Sequence, residues 1–311
     1  MPVRALVTGG AGFIGSHVVD ALLHEGHDVT VVDDLSTGRQ SHLSPEVRFY
    51  QTSVTDFDGL AKVFASERPE FVSHHAAQKS VRDSMANPSF DALVNVVGSV
   101  NVFELSVRHG CERLVFASTA AVYSEPVHLP MSESHPVRAQ SAYGTSKLAA
   151  EGYLQFYGDV YGTRYVVFRY ANVYGPRQDP KGEAGVVAIF AKRILEGQRP
   201  TIYGDGTKTR DYVFVSDVVS ANLAAMESVN HSDVMNLGRG IQVTDYEIFD
   251  LVRRAAGSDI QPVYADKRPG EADRVSLAAA RAADLLKWKP AVAPEEGIQR
   301  TVDYFRDAIA P

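Results

Sequence analysis

One cysteine, Cys111, stands among 311 residues, so no disulfide can form within the chain, and no group of cysteines and histidines has zinc spacing. A small buried apolar role suits that thiol better than a catalytic one, and no metal is expected. A reducing compartment, the cytoplasm, follows as the expected location. Long apolar runs are also scarce: no stretch approaches the roughly 20 residues that cross a bilayer. Met1-Pro2-Val3-Arg4 leads straight into a strand pattern without a signal-peptide core, so a soluble chain is expected. Basic runs are missing, and 31 Lys plus Arg against 38 Asp plus Glu leave a formal charge of −7. That balance speaks against nucleic acid or an anionic membrane as a partner. There is no internal repeat and no low-complexity segment.

What is there is ordinary globular material, 45 % hydrophobic and 22 % charged. Its length suits one large domain with a smaller companion. Strand patterns at 3–8, 28–33, 47–50, 71–74, 113–117 and 164–169 alternate with helical ones, the longest over 88–108 and 143–161. Strict alternation means βαβ units and a Rossmann-like, doubly wound parallel sheet in an α/β fold. After Gly175-Pro176 the rhythm breaks into the loop-rich 176–185 (PRQDPKGEAG), and a closing helix covers 294–308. The expected division is a dinucleotide-binding domain over 1–175 and a smaller α/β substrate domain mainly over 176–311. Segments around 210–235 are expected to return to the first.

Between the first strand and first helix lies Thr8-Gly9-Gly10-Ala11-Gly12-Phe13-Ile14-Gly15. Glycines at 9 or 10, 12 and 15 allow a sharp turn and close approach of backbone amides to a pyrophosphate, over a helix N-terminus that favours anions. Strand before and helix after make this more than a chance match. Asp33 closes the second strand, where a carboxylate accepts from the adenosine ribose and repels a 2′-phosphate. Asp34 adds to that repulsion, so NAD is expected rather than NADP.

Tyr143 and Lys147 are four apart at the opening of a helix and share one face. A phenol is a poor base near neutral pH, and an ammonium beside it is expected to lower its pKa. Ser118-Thr119 end the strand over 113–117, where ligands of open parallel sheets bind. A hydroxyl there can hydrogen-bond the oxygen that Tyr143 deprotonates, and Thr119 suits this better than Ser118.

TGGAGFIG, DDLSTG, HHAAQKSV, ASTAAVY, YGTSK, RYANVYGPRQ and RDYVFVSDV follow one another over nearly the whole chain. In this order they resemble the extended short-chain dehydrogenases and, within them, the UDP-glucose 4-epimerases. The resemblance implies catalytic roles for Thr119, Tyr143 and Lys147. It implies cofactor contacts from Gly9, Gly12, Phe13, Ile14, Gly15, Asp33, Asp34, Ser53, Val54, Lys79, Asn95, Tyr143 and Lys147. A UDP-sugar would meet Lys79, Thr119, Tyr143, Asn172, Val186, Arg210, Arg268 and Val275, the two arginines suiting a diphosphate. Ser53-Val54 stands where many relatives have an Asp before the aliphatic residue, and Asp34 replaces an Asn.

The implied reaction oxidises C4 of UDP-glucose or UDP-galactose with NAD, turns the 4-keto sugar over and returns the hydride. A 4,6-dehydratase would need an Asp-Glu pair after Thr119, and Ala120 and Ala121 stand there instead. A 4-epimerase of UDP-N-acetylglucosamine or UDP-glucuronate is an alternative, as is a non-catalytic NAD-responsive binding protein. A homodimer is implied, through apolar stripes on 88–108 (Leu93, Val96, Val97, Val100) and 143–161 (Leu148, Ala149, Leu154).

Overall fold

Branched and aromatic residues on both faces of short runs make strands that can only be satisfied when covered on both sides. The computed structural model describes residues 2–181, 185–228, 232–267 and 272–309. The chain opens with β1 (Arg4–Thr8), α1 (Phe13–His24), β2 (Asp28–Asp33), β3 (Arg48–Gln51), α2 (Phe57–Glu67) and β4 (Phe71–His74). Then come α3 (Val81–Ala86), α4 (Pro88–Ala92), α5 (Gly98–Arg108), β5 (Arg113–Thr119), α6 (Ala142–Tyr161), β6 (Arg164–Tyr170) and β7 (Asn172–Tyr174). After these lie α7 (Val186–Leu195), β8 (Thr201–Tyr203), β9 (Thr209–Arg210), β10 (Tyr212–Phe214), α8 (Val215–Ser228) and β11 (Asp233–Leu237). The last elements are β12 (Val243–Thr244), α9 (Asp245–Ala255), β13 (Val263–Ala265), α10 (Ala280–Leu286) and α11 (Pro294–Ile309).

Seven strands form one sheet in the order β11-β6-β5-β4-β1-β2-β3, and every neighbouring pair is parallel. The chain leaves β1 in one direction and returns at β4 in the other. The crevice beyond their carboxyl ends is therefore the ligand site of such sheets. One apolar cluster packs α1 and α8 on one face, through Val18, Val19, Leu22 and Val218. Another packs α2, α5 and α6 on the other face, through Leu60, Phe64, Phe103 and Leu154. A third lies among α7, α9, α11 and the edge strand β10, where Phe190, Phe249, Phe305 and Phe214 meet. Cys111 is buried, and burial pushes its thiol up to about 12, leaving it inert.

The segment Pro88–Arg108 is a single 21-residue helical run holding a stretch of mean hydropathy 1.3, long and apolar enough to cross a membrane by length and composition alone. That corrects the expectation that no stretch approaches this length. Its inner face, with Val102, Phe103 and Leu105, is buried against the sheet. Between α4 and α5 the run passes through a π turn, Leu93–Val97.

Candidate active site

The turn from β1 to α1 shows why glycine is needed at two of its positions. Gly9 has φ +67°, and a Cβ on Gly15 would sit 2.2 Å from the Gly9 carbonyl oxygen. The helix thus presses directly on the turn. Gly12 is the N-cap of α1, and no side chain caps its first amides, which fits an incoming phosphate as their partner. Phe13 and Ile14 open the helix, one packing toward the third cluster and the other into the first.

Asp33 is buried, and burial raises its carboxyl pKa. Its oxygens accept from the Ala11 amide at 3.0 Å and the Leu35 amide at 2.8 Å. The carboxylate therefore braces the glycine turn, and its remaining lone pairs are free in number for ribose hydroxyls. Asp34 is exposed and turns back onto the Ser36 amide at 2.9 Å. Ser53 bonds to Thr55 at 2.9 Å, while Val54 is buried and its carbonyl takes Asn101 at 2.9 Å. The tightly packed glycine turn, the uncapped helix and the acidic strand end together suit NAD.

Lys79 is exposed on the segment after β4. Asn95, in the π turn, is fully buried. Its amide donates to Gln78 O, Asp91 and Ser146, and its oxygen accepts from the Gln78 amide at 2.9 Å. The cofactor contact expected of Asn95 is thus matched here by a different task, holding the 75–80 segment against α6.

The Thr119 hydroxyl lies beside the Tyr143 phenol and pulls its pKa down, but burial outweighs it and pushes the phenol up to about 12, with the Asp91 carboxylate adding to the rise. Lys147 is 2 % exposed. Its Nζ donates to the Ala117 carbonyl at 2.8 Å and lies 4.6 Å from the Phe116 ring centre. Burial brings it down to about 8, opposed by Asp91 and Glu151. The expectation that Lys147 lowers the phenol is corrected here. The ammonium is committed to β5, and desolvation outweighs the other influences on Tyr143. Ser118 points away from this pair and donates to Glu151, which separates its role from that of Thr119.

On the other side of the crevice, Asn172 heads β7, with its amide on the Asp211 carbonyl at 2.9 Å. Val186 opens α7 and is half-buried. Arg210 lies in β9, and the Val275 amide reaches the carbonyl of its neighbour Thr209 at 3.2 Å. Arg268 lies outside the described residues. Asn172, Arg210 and Val275 are therefore brought near one another through Thr209 and Asp211. Sequence reasoning assigns no role to Asp211. It is fully buried, and its carboxylate accepts from the amides of Arg239, Gly240 and Leu277 at 2.9–3.1 Å. It is the middle residue of the RDY motif, which was the signal to follow.

A family model described as the NAD dependent epimerase/dehydratase family matches residues 5–238. A UDP-glucose 4-epimerase of Mycolicibacterium smegmatis is 43 % identical over 98 % of this chain and 99 % of its own. The crystal structure of a Thermotoga maritima UDP-glucose 4-epimerase with UDP-glucose superposes with TM-score 0.96. It is 46 % identical, covering 98 % of this chain and 99 % of that one. A Thermus thermophilus UDP-glucose 4-epimerase in complex with NAD gives TM-score 0.93 and 44 % identity, with 98 % and 99 % covered. With a glycine turn, a Thr–Tyr–Lys set and a doubly wound sheet behind these matches, the chain belongs to the NAD-dependent epimerase/dehydratase family.

Proposed function

We propose that this chain is an NAD-dependent 4-epimerase interconverting UDP-glucose and UDP-galactose. The observation that carries the reading is Tyr143 beside Thr119 at the carboxyl end of β5, with Lys147 buried one helical turn on. The relatives above, named for this reaction, support it over most of their length. Residues 1–175 would hold the cofactor, and 176–311 mainly the nucleotide sugar, with about 210–235 returning to the first part.

Bound NAD would supply the hydride acceptor and donor for C4. Tyr143, ionised to its phenolate, would take the C4 hydroxyl proton and later give it back, while Thr119 orients the same oxygen. Lys147 contributes fixed positive charge and donors for ribose hydroxyls. Gly9, Gly12, Phe13, Ile14, Gly15 and Asp33 hold the dinucleotide, with Asp34, Ser53 and Val54 at its adenosine end and Lys79 beside Asn95 at the other. Asn172, Val186, Arg210, Arg268 and Val275 hold the UDP-sugar. A grip on the diphosphate leaves the 4-keto ring free to turn over. Ala120 and Ala121, in the 3₁₀ turn after Thr119, carry no proton for an elimination.

A homodimer working in the cytoplasm completes the proposal. Phe90, Leu93 and Val97 are exposed on the 88–108 run, and Tyr153, Phe156, Val160 and Tyr161 on α6. Those two elements pack side by side, so the residues form an apolar surface of the kind that mates across a two-fold axis.

Purified protein given UDP-galactose without added cofactor is expected to form UDP-glucose, resolved by ion-exchange chromatography. No conversion even with NAD supplied overturns the reading. Turnover of UDP-glucuronate alone reassigns the sugar.

A further inference from the structure

Three successive residues at the end of β5 meet three positions of α6. Thr119 lies beside Tyr143, the Ala117 carbonyl takes Lys147, and between them the Ser118 hydroxyl donates to Glu151. Glu151 follows Lys147 by one helical turn, so the two lie on the same face. Its carboxylate also receives Arg169 as a fork, Nη2 at 2.6 Å from Oε2 and Nε at 3.1 and 3.2 Å from the two oxygens. Arg169 is the residue paired with Ser118 across the β5–β6 ladder. Glu151 therefore ties the helix to two neighbouring strands at one register position.

The guanidinium continues outward, from Nη1 to the Tyr123 hydroxyl at 3.1 Å and from there to Asn236 at 2.7 Å. All of these groups are buried. A buried ion pair gains little stability over apolar side chains of the same shape. Its value is better sought in what it aligns.

We infer that Glu151 is a positioning residue for catalysis: it fixes the height of α6 on the strand ends, and its negative charge supports the Lys147 ammonium. The inference rests on the reading of Tyr143 and Lys147 given above. The groups facing Lys147 are Asp91 from α4, His74 at the end of β4 and His75 after it, the Phe116 ring of β5, and Glu151 on its own helix. Burial holds both histidines neutral, so Asp91 and Glu151 are the carboxylates that sustain the cation. Removing Glu151's charge leaves one of the two. Lys147 then sheds its proton at lower pH, and the alkaline limb of the rate profile moves with it.

The test is Glu151→Gln in the NAD-loaded enzyme, with kcat, KM and the pH profile measured. A fall in kcat of about tenfold or more is expected, the scale of a small misplacement of reacting groups. KM should stay within about twofold, and the alkaline limb should move at least about half a unit acidward. Because Gln leaves Arg169 without its anion, Glu151→Gln/Arg169→Gln is made alongside and should show the same displacement. Ser118→Ala keeps the charge, so it should lower kcat without moving the limb. Wild-type kcat and an unmoved limb in either folded Glu151 variant overturn the inference. If neither folds, wild-type kcat in Ser118→Ala does so. Tyr143→Phe separates the two readings: activity there refutes the base itself, whereas an inactive Tyr143→Phe beside an unaffected Glu151→Gln refutes only the positioning role.

Discussion

Thr119, the last residue of β5, lies beside Tyr143, the second of α6, closely enough to pull the phenol's pKa down, so strand end and helix start jointly define where a reacting hydroxyl must sit. Tyr143→Phe removes the base and keeps the ring, and should cut kcat by about 10²–10⁴. Thr119→Val keeps the shape and loses one hydrogen bond, so about a tenfold loss is expected. Calorimetric UDP affinity should hardly change in either variant. Rates within a few-fold of wild type in Tyr143→Phe would place the base elsewhere.

Lys147 makes a prediction about stability as well as rate. Its ordinary value is 10.5, and burial brings it to about 8 in the folded protein. The folded pKa lies below the unfolded one, so the folded state bears its full penalty at pH values below 8. Stability is recovered as pH rises from about 8 towards the unfolded value. Lys147→Met should therefore be inactive yet melt at a higher temperature than wild type at pH 7, with the advantage shrinking by pH 10. Each kcal/mol corresponds to about 2–4 °C in a chain of this class. An advantage that does not change with pH refutes the burial argument.

Gly15→Ala tests the turn. The added methyl would lie 2.2 Å from the Gly9 oxygen and 2.9 Å from its carbonyl carbon, both backbone atoms that cannot yield cheaply. Wild-type protein, denatured after purification, should release about one NAD per chain, since a cycle that regenerates its cofactor favours retention. The variant should release little or none. Undiminished NAD in Gly15→Ala means the pyrophosphate sits elsewhere.

Local features were legible in the sequence, and features made by register were not. The glycine turn and β1 to β6 come from short-range patterns, and the structure reproduces them within a residue or so. The anchoring of Lys147 on Ala117 depends on how far α6 slides along β5, which no spacing within either element reports. The Glu151–Arg169 fork and the Asp211 hub join residues remote in sequence. Of the stripe read on α6, Ala149 is exposed but the two leucines turn inward. Leu154 is buried and Leu148 packs on the core, while Tyr153, Phe156 and Val160 face out. In 88–108 the π turn inserts a step that shifts the helical phase, so Asn95 points in while Leu93 and Val97 point out.

That outward surface predicts assembly. Phe156 is 47 % exposed, with its ring centre 5.4 Å from that of Tyr157 and 5.9 Å from that of Tyr161. Phe156→Asp places a charge in a patch that would be desolvated on dimerisation. Light scattering at micromolar concentration should give a dimer mass for wild type and a monomer mass for the variant. A wild-type monomer refutes the proposal, and a variant that remains a dimer moves the interface off α6.

The size of sugar accepted turns on Val275. By the resemblance, this position carries a tyrosine in enzymes confined to plain hexoses and a smaller residue in those that also take N-acetylhexosamines. Here the segment around it is fixed on both sides: its amide meets Thr209 O at 3.2 Å, and the next carbonyl, of Ser276, takes the Met131 amide at 2.8 Å. Val275 is half-buried and partly packed on the first apolar cluster, next in the ladder to the strand that carries Arg210. A valine side chain ends well short of a phenol, which by the same resemblance would leave room for an acetamido group at C2. UDP-N-acetylglucosamine should therefore be epimerised alongside UDP-glucose. Val275→Tyr should favour the plain sugar by roughly 10- to 200-fold in relative kcat/KM, the 1–3 kcal/mol range of size discrimination in an apolar pocket. If wild type ignores the acetylated sugar, another wall of the pocket sets the limit. If the ratio is the same in Val275→Tyr, the side chain does not face the sugar and its role is confined to packing.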